Sequence, residues 1–307
     1  MTRSQISHIV QRVFTEERIP QEGTTTLSRV YAAIVDHIGS ASAGRRAPLI
    51  VGICGSQGAG KSTIARVVAE ALQEMHRQSV AVLSLDDLYL PSGARAQLAR
   101  EVHPLLETRG VPGTHDVELG IKVIQSLVNA SPADETRIPR FNKAFDEPRP
   151  RDEWDIHRGR ADVVILEGWC VGAVAETESA LSQPINELEH VDDADGTWRR
   201  FVNAQLAGRY QALFGLLNLL IMIRVPGFEY VRSWRALQER KLAQKLRLQG
   251  AASDSAKVMT EVEVGRFIVH YERLTRHTLA EMPARADIVV ELDGQRRVAS
   301  VLLRFDR

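Results

Sequence analysis

The order of apolar and polar positions divides the chain into a helical beginning and a longer region of alternating strand-like and helical patterns. Apolar residues recur at helical spacing over residues 5–18 and 25–38, which predicts a pair of amphipathic helices. The stretch GSASAGRRAP, residues 39–48, then predicts a small and flexible linker. The pattern therefore predicts an N-terminal helical extension with its linker, residues 1–47, and a main domain, residues 48–307.

Four short runs of consecutive apolar residues follow this linker, and helical patterns separate them. The runs are LIVGIC (49–54), VAVLSL (80–85), DVVILE (162–167) and LLNLLIMI (216–223). Because such runs are typical of strands buried on both faces, they predict an α/β fold with a mostly parallel central sheet flanked by helices. The C-terminal segment ADIVVELDGQRRVASVLLR predicts one more strand, an Asp-Gly turn and a return strand.

Composition narrows the classes of partner and compartment. The 307 residues contain 39 Lys and Arg against 39 Asp and Glu, and this balance argues against nucleic acid or a membrane surface as the partner. Cys54 and Cys170 lack metal-ligand spacing and are too few for a disulfide framework. The N-terminus lacks the apolar core of a signal peptide, and no run reaches membrane-spanning length. We expect a cytoplasmic protein, and its oligomeric state stays open.

Residues 52–63, GICGSQGAGKST, contain the phosphate-binding pattern G-x-x-x-x-G-K-[ST] between the first predicted strand and a predicted helix. Glycines let successive backbone N–H groups face one anion, and the following helix adds the positive end of its dipole. The motif predicts that Lys61 reaches the β- and γ-phosphates of a nucleotide and that Ser62 binds Mg²⁺. The residues predicted to bind nucleotide are Gly55, Ser56, Gln57, Gly58, Ala59, Gly60, Lys61, Ser62 and Thr63.

A second metal-binding candidate ends the third apolar run. Glu167 follows four apolar residues and precedes Gly168, as a Walker-B acid does, and a carboxylate there holds magnesium or its bound water. The ordinary alternative is a surface acid at a strand end. Asp162 begins the same run, so we expect it at the opposite edge of the sheet and discount it.

The stretch LSLDDLYLP, residues 83–91, extends the prediction from nucleotide binding to phosphoryl transfer. A predicted strand ends there in Asp86 and Asp87, at the edge of an open α/β sheet where ligands bind. A kinase for a small alcohol needs one group that accepts the proton of the hydroxyl. A carboxylate at this strand end supplies that group, and the residues alone leave both acids open.

The phosphate loop, together with Asp86-x-Leu88-Tyr89, resembles the phosphoribulokinase, uridine kinase and pantothenate kinase superfamily. The resemblance implies that Asp86 is the base. Asp87 is then its neighbour, which either shares a proton with it and contacts the acceptor, or caps the next turn.

Within that superfamily the chain is similar to the D-glycerate 3-kinase family from about Pro48 to Asp293. The motifs that carry the resemblance are LSLDDLYLP, LLETRGVPGTHDVEL, IPRFNKAFDEPRPR, VVILEGWCVG, PINELE and YVRSWRALQE. The resemblance implies a P-loop kinase fold with a helical lid at about residues 227–260, ATP and Mg²⁺ as cofactors, and transfer to D-glycerate, giving 3-phospho-D-glycerate. The chain departs from the family at Phe141-Asn142, where Tyr-Asp is expected, and in the basic segment EPRPRDEW, which replaces one containing Gly.

Glycerate needs a cation for its carboxylate, polar partners for its hydroxyls and one base. Arg109 lies in TRGVPGTHD, where two glycines permit a tight loop. His115 either donates to a hydroxyl or braces this loop. Asp116 matches a residue that contacts the acceptor hydroxyls in uridine kinases, and its alternative is the N-cap of a helix predicted over 117–127.

Three further cations are candidates for the acceptor or the transferred group. Arg140 and Lys143 of IPRFNK lie near the end of a short predicted strand, and the alternative is a solvated basic loop. Arg235 lies in a helix predicted over 228–246 and matches the lid arginine of the family, on one face with Gln238 and Glu239. The resemblance implies that Arg235 counters charge on the transferred phosphoryl group.

Two other functions stay open at this point. One is a P-loop kinase for another small alcohol, such as a nucleoside or pantothenate. The other is an ATP-binding regulator without catalytic activity, which the paired acids of LSLDD argue against because a sensor needs no base. The compact cationic set favours a small acid as the acceptor.

Overall fold

A computed structural model describes residues 3–19, 24–237 and 261–304. The helices are α1 (Arg3–Glu16), α2 (Thr24–Ser42), α3 (Lys61–His76), α4 (Ser92–Glu101), α5 (Val117–Asn129), α6 (Glu187–Val191), α7 (Thr197–Ala207), α8 (Arg209–Phe214), α9 (228–237, where the description stops), α10 (Glu261–Ile268) and α11 (Glu272–Glu281). The strands are β1 (Leu49–Gly55), β2 (Val80–Ser84), β3 (Glu135–Ile138), β4 (Phe141–Asn142), β5 (Glu147–Pro148), β6 (Asp155–Arg158), β7 (Val163–Gly168), β8 (Leu219–Arg224), β9 (Ile288–Leu292) and β10 (Val298–Leu303).

Six strands form the central sheet in the order β10-β9-β8-β1-β7-β2. All neighbours pair in parallel except β9 and β10, which form the predicted antiparallel return. Strands β1 and β7 are buried along their whole length, because helices cover both faces of the sheet, and this explains their continuous apolar sequences. The α/β prediction with a mostly parallel sheet is confirmed.

The fourth apolar run forms a shorter strand than its sequence predicted. Strand β8 begins only at Leu219, because Asn218 turns the chain into the sheet with both its backbone and its side chain. Its N–H donates to the carbonyl of Ile50 at 2.7 Å, and its Oδ1 accepts from the N–H of Ile50 at 2.8 Å.

The N-terminal pair of helices is confirmed, and both helices belong to the main hydrophobic core. Helices α1 and α2 pack against α3, the helix that follows the phosphate loop. The predicted linker is wrong for its first four residues, since α2 continues through Ser42. A Cβ on Gly39 would lie 2.7 Å from the ring of His76, so this glycine permits close helix packing rather than chain flexibility.

The excursion between α5 and β7 brings the basic IPRFNK segment beside the sheet. Strand β3 pairs with β6 and β4 pairs with β5, each in an antiparallel ladder. These two small ladders place residues 139–148 near the carboxyl end of β2, where the paired acids lie. Among the described helices, none combines the length and hydropathy that crossing a bilayer requires.

Candidate active site

The phosphate loop connects the carboxyl end of β1 to the first residue of α3, Lys61. Gly58 and Gly60 have φ angles of +78° and +88°, a left-handed backbone that glycine adopts at low cost. A Cβ on Gly58 would lie 3.1 Å from the Cβ of Trp234 in α9. Trp234 is 5% exposed, so it packs in the core beside the loop. The backbone therefore forms an anion cradle at a helix N-terminus, and α9 lies directly against it.

Glu167 lies beside this loop with one carboxylate oxygen unpaired. Its Oε1 accepts a hydrogen bond of 3.0 Å from Ser62 Oγ, and the residue is only 4% exposed, so the alternative of a surface acid is wrong. Three buried oxygens of this region have no hydrogen-bond partner among the described residues: Glu167 Oε2, Ser56 Oγ and Gln57 Oε1. Buried polar atoms are normally bonded, so these oxygens indicate a ligand.

The donor set fits Mg²⁺. A hydroxyl and a carboxylate oxygen are hard ligands of the type this ion prefers, and it commonly takes only one or two protein ligands beside phosphate oxygens and water. The described residues contain no group of three or more His, Cys, Asp or Glu that would bind a metal by protein alone. Ser62 and Glu167 therefore suit a metal ion that arrives with a nucleotide.

Asp86 lies in the 3₁₀ turn Leu85–Leu88 that directly follows β2. The Tyr89 hydroxyl donates to Oδ1 at 2.9 Å, and Lys143 Nζ donates to Oδ2 at 2.6 Å. Burial alone would raise the pKa of this carboxyl, but the charges of Lys143 and Lys61 and the two hydrogen bonds lower it well below its usual range. Asp86 is thus ionised at neutral pH, and its side chain is 24% exposed.

Asp87 makes different contacts from its neighbour. Its Oδ1 accepts from the backbone N–H of Phe141 at 2.9 Å, and its Oδ2 accepts from Arg140 at 2.9 Å. The alternative that Asp87 caps the next turn is therefore wrong, because both oxygens bind a segment that is remote in sequence. Burial raises the pKa of Asp87 despite these donors. Its contact with the acceptor stays a prediction.

The two cations of IPRFNK are both paired with acids. Arg140 lies between Asp87, at 2.9 Å, and Asp155, at 2.5 Å, so it is not part of a merely solvated loop. Lys143 is bonded to Asp86, and its side chain is 57% exposed. The structure therefore places Lys143 at the candidate base, Asp86, and fixes Arg140 at the neighbouring acid, Asp87.

Arg109 reaches the same region from the TRGVPGTHD loop. Its guanidinium lies 5.7 Å from the ring centroid of Phe141 and 6.0 Å from that of Tyr89, and it is paired with Asp146. Asp146 also accepts from the buried Arg95 at 2.6 Å. Neither pairing was predictable from local sequence, because Asp146 is remote in sequence from both Arg95 and Arg109.

We define the acceptor cluster as the side chains that surround the candidate base at the end of β2. Its members are Asp86, Asp87, Tyr89, Arg109, Arg140, Phe141 and Lys143. The charge of Lys61 also acts on Asp86, which shows that the phosphate loop and this cluster are neighbours.

His115 packs behind the cluster and is 5% exposed. Its ring stacks on Tyr89 with 4.6 Å between centroids, and its Nδ1 lies 2.6 Å from the hydroxyl oxygen of Tyr210. That oxygen also accepts from the N–H of Gly113 at 3.0 Å, so Tyr210 connects the ring of His115 to the backbone of the TRGVPGTHD loop. Burial lowers the pKa of His115 to about 4 although the charge of Asp86 opposes this, and the ring is neutral at pH 7. The sequence analysis missed Tyr210.

Asp116 caps helix α5, as its ordinary alternative predicted, because its Oδ1 accepts from the N–H of Leu119 at 2.9 Å. Asp116 and His115 also line a cavity of about 430 Å³ between α4, the start of α5, and α7 with α8. The residues that line this cavity do not include Asp86 or the phosphate loop. It therefore adjoins the acceptor cluster without being its centre.

Arg235 lies in α9, and its guanidinium is 5.8 Å from the ring centroid of Phe267 in α10. Gln238 and Glu239, predicted on the same face, lie outside the described residues, as does the predicted lid from residue 238 to 260. The helix predicted over 228–246 is confirmed as far as residue 237.

The PINELE motif, residues 184–189, fastens the start of α11. Asn186 Nδ2 donates to Glu272 at 3.1 Å, and Glu189 forms a buried ion pair of 2.7 Å with Arg273. In sequence, this motif indicated only the family resemblance. Its contacts show that it anchors the helical segment after residue 260 to the main domain.

Comparisons with known proteins agree with this geometry. The model of the zeta toxin family matches residues 35–91, which include the phosphate loop and Asp86. A protein of Schizosaccharomyces pombe named uncharacterized kinase mug58 is 31% identical over 231 residues, which cover 73% of this chain and 78% of that protein. The chain belongs to the phosphoribulokinase, uridine kinase and pantothenate kinase superfamily of P-loop kinases. This P-loop kinase is an ATP-dependent transferase.

Two relatives of this P-loop kinase carry a more specific name. The chloroplastic D-glycerate 3-kinase of Arabidopsis thaliana is 26% identical over 261 residues, which cover 81% of this chain and 53% of that enzyme. The chain thus spans about half the length of the plant enzyme. The solved D-glycerate 3-kinase of Cryptococcus neoformans aligns with a TM-score of 0.70 at 21% identity, over 89% of this chain and 98% of that one, and so confirms the fold.

Proposed function

We propose that this P-loop kinase transfers the γ-phosphate of ATP to the 3-hydroxyl of D-glycerate and forms 3-phospho-D-glycerate. The observation that carries the proposal is Asp86, an ionised carboxylate held by Lys143 and Tyr89 within reach of the charge of Lys61. One base, next to a phosphate loop and surrounded by cations, suits an acceptor that is both an alcohol and a small anion. The two relatives named D-glycerate 3-kinase support this choice of acceptor.

The phosphate-binding residues have the simplest roles. Lys61 and the backbone N–H groups of the loop bind the phosphates of ATP, and Ser62 and Glu167 are the ligands we assign to Mg²⁺. When bound, the metal ion counters the negative charge of the phosphates. Arg235 in α9 steadies the transferred group.

Asp86 acts on the acceptor hydroxyl. As the hydroxyl oxygen forms its bond to the γ-phosphorus, the bond from that phosphorus to the β,γ-bridging oxygen breaks, and ADP leaves with the bonding pair. The hydroxyl proton passes to a carboxylate oxygen of Asp86. The lowered pKa of Asp86 ensures that the base is unprotonated before each turnover.

Binding of the acceptor carboxylate requires competition with acids of the chain itself. Arg109, Lys143 and Arg140 are the cations available, and each already pairs with an aspartate. A glycerate carboxylate at Arg109 replaces or shares the contact with Asp146. His115 and Asp116 are the residues we assign to the hydroxyl groups at the rear of the site, and Asp87 orients Arg140.

A substrate panel tests the proposal. Purified protein with Mg-ATP is incubated with D-glycerate, L-glycerate, uridine and pantothenate, and ADP formation is followed, with Lys61→Ala as the background control. We expect the highest kcat/KM for D-glycerate. A preference for uridine or pantothenate contradicts the proposal, and ATP binding without transfer to any acceptor indicates a regulator.

A kinase for a larger alcohol is the second candidate. The cavity of about 430 Å³ beside His115 and Asp116 favours it, because three carbons and their oxygens do not need that volume. The same panel separates the two candidates, since a nucleoside would fill this cavity, whereas glycerate would reach only its His115 and Asp116 side.

A further inference from the structure

Two buried aromatic side chains bind the backbone of the loop that carries Arg109. Trp169 Nε1 donates to the carbonyl of Gly110 at 2.9 Å, and the Tyr271 hydroxyl donates to the carbonyl of Arg109 at 3.1 Å. The two rings pack edge to face with 4.8 Å between centroids, and the residues are 4% and 2% exposed. We call Trp169 and Tyr271 the aromatic clamp.

The loop and the aromatic clamp fit each other closely. Gly110 has a φ angle of +138°, and a Cβ at this position would lie 2.5 Å from Cζ of Tyr271. Glycine is required here both by the backbone angle and by the approach of the ring. The N–H of Gly110 donates to Thr114 Oγ1 at 2.9 Å, so both the N–H and the carbonyl of this glycine are hydrogen-bonded.

The aromatic clamp joins the acceptor loop to two other parts of the site. Trp169 follows Glu167 by two residues, so the end of β7 carries both the metal-binding candidate and half of the clamp. Tyr271 ends the 3₁₀ turn that precedes α11. Two residues later, Arg273 forms an ion pair with Glu189, and this pair holds the start of α11 in place. The donors are therefore held in place independently of the loop that they bind.

We propose that Trp169 and Tyr271 are positioning residues that aim Arg109 at the acceptor, an inference that rests on the proposed role of Arg109 in binding a carboxylate. The direction of the Arg109 side chain depends on the orientation of the peptide planes at residues 109 and 110. The aromatic clamp holds both carbonyls, and the guanidinium then lies over Tyr89 and Phe141 beside Asp146. Neither aromatic residue contacts the acceptor itself.

The first test asks whether substitutions in the aromatic clamp change the KM for the acceptor and leave the KM for ATP unchanged. Tyr271→Phe keeps the ring and removes one hydrogen bond, so we expect the acceptor KM to rise about three- to ten-fold while the ATP KM stays within about two-fold. Trp169→Phe should shift the same constant in the same direction. The matched control is Tyr31→Phe, which removes the hydroxyl of another buried tyrosine, 3% exposed and located in α2; its acceptor KM should not change.

A double-mutant cycle tests whether the aromatic clamp acts through Arg109. In the Arg109→Ala background, Tyr271→Phe should add no further rise in acceptor KM, because the side chain that it aims is gone. Multiplicative effects of the two substitutions would overturn the proposal. Equal losses of kcat in Tyr271→Phe and Tyr31→Phe, with every KM unchanged, would reduce the clamp to ordinary core packing and overturn the proposal as well.

Hydrogen exchange on the full-length protein separates failure of this inference from failure of the proposed function. If D-glycerate is no substrate, the proposed function fails, but amides of residues 108–116 still report on the loop. We expect them to exchange about five-fold faster or more in Tyr271→Phe and at the wild-type rate in Tyr31→Phe. Unchanged exchange in Tyr271→Phe overturns the inference, whatever the acceptor is.

Discussion

The phosphate loop and the acceptor cluster, which adjoin each other, satisfy their polar groups in opposite ways. The loop region leaves the buried oxygens of Ser56, Gln57 and Glu167 without partners among the described residues. In the acceptor cluster, Lys143 pairs with Asp86 and Arg109 pairs with Asp146. The phosphate loop is therefore suited to a ligand that supplies missing hydrogen bonds. The acceptor cluster is suited to a ligand that replaces existing ion pairs.

This difference explains why the two regions specify their ligands to different degrees. A backbone cradle with unpaired oxygens binds any nucleoside triphosphate and its metal. At an acceptor cation that is already paired, a ligand must compete with an internal carboxylate, which favours an anion over a neutral alcohol of similar size. In the proposed function, the ion pairs of the acceptor cluster supply the specificity for a small hydroxy acid.

The largest effect is expected at the phosphate loop. Lys61→Ala should lower turnover roughly a thousand-fold, because it removes the cation that contacts the transferred phosphoryl group. Steady-state kinetics at saturating ATP measures this. A near-normal rate would refute the assignment of the loop and, with it, the distinction between the two regions.

The next substitution separates chemistry from nucleotide binding. Asp86→Asn should lower kcat by about 10²- to 10⁴-fold, since it removes the general base, and should leave the ATP dissociation constant unchanged in a fluorescent-nucleotide titration.

Asp87→Asn is the matched control for that substitution. We expect it to cost about 1–3 kcal/mol of unfolding free energy through the lost contact with Arg140 and to retain transfer. If Asp87→Asn abolishes transfer and Asp86→Asn does not, the wrong carboxylate has been assigned.

Two arginines of the acceptor cluster sharpen the comparison further. Arg109→Ala and Arg140→Ala should each raise the glycerate KM by about ten-fold, as loss of a charge-assisted contact does, with the ATP KM unchanged. An unchanged glycerate KM together with a lower melting temperature would show that the arginine serves only its internal acid. Arg140, which lies between Asp87 and Asp155, is the more direct test of this outcome.

The last expected effect is on stability rather than on catalysis, as a dependence on pH. His115 has a pKa of about 4 in the folded protein and an ordinary pKa near 6.5 when unfolded, so between these values the unfolded chain binds more protons. Stability should therefore fall as pH falls through this window, by up to roughly 1.4 kcal/mol per pH unit. Urea denaturation of the wild type and of His115→Gln at pH 7 and pH 5 measures the unfolding free energy of each protein. An equal change in this free energy between the two pH values in both proteins would contradict the buried, neutral state of His115.

The sheet was predictable because its strands are continuous apolar runs, and the departures have local causes. Gly39 suggested a flexible linker, but it lies within α2 and packs against His76 of α3. Leu216 and Leu217 continued an apolar run, but Asn218 turns the chain before β8 begins. In both cases a tertiary contact overrode the local pattern.

The phosphate loop was predictable because its chemistry lies within one contiguous motif. The pairings of the acceptor cluster join residues far apart in sequence: Asp86 with Lys143, Asp87 with Arg140, and Arg109 with Asp146. Single residues such as Asp86 and Arg109 were identified through a family resemblance, whereas no local pattern shows which acid meets which cation. Trp169, Tyr210 and Tyr271 were missed because a buried aromatic residue in sequence predicts only core packing.

One measurement tests the central claim most directly: NMR identification of the product formed from D-glycerate and Mg-ATP by the purified protein. We predict one new phosphomonoester whose phosphorus couples to the methylene protons of C3, formed in equal amount with ADP and absent with Asp86→Asn. Phosphorus coupled to the C2 proton, or no phosphorylated glycerate while another alcohol is consumed, would contradict the account.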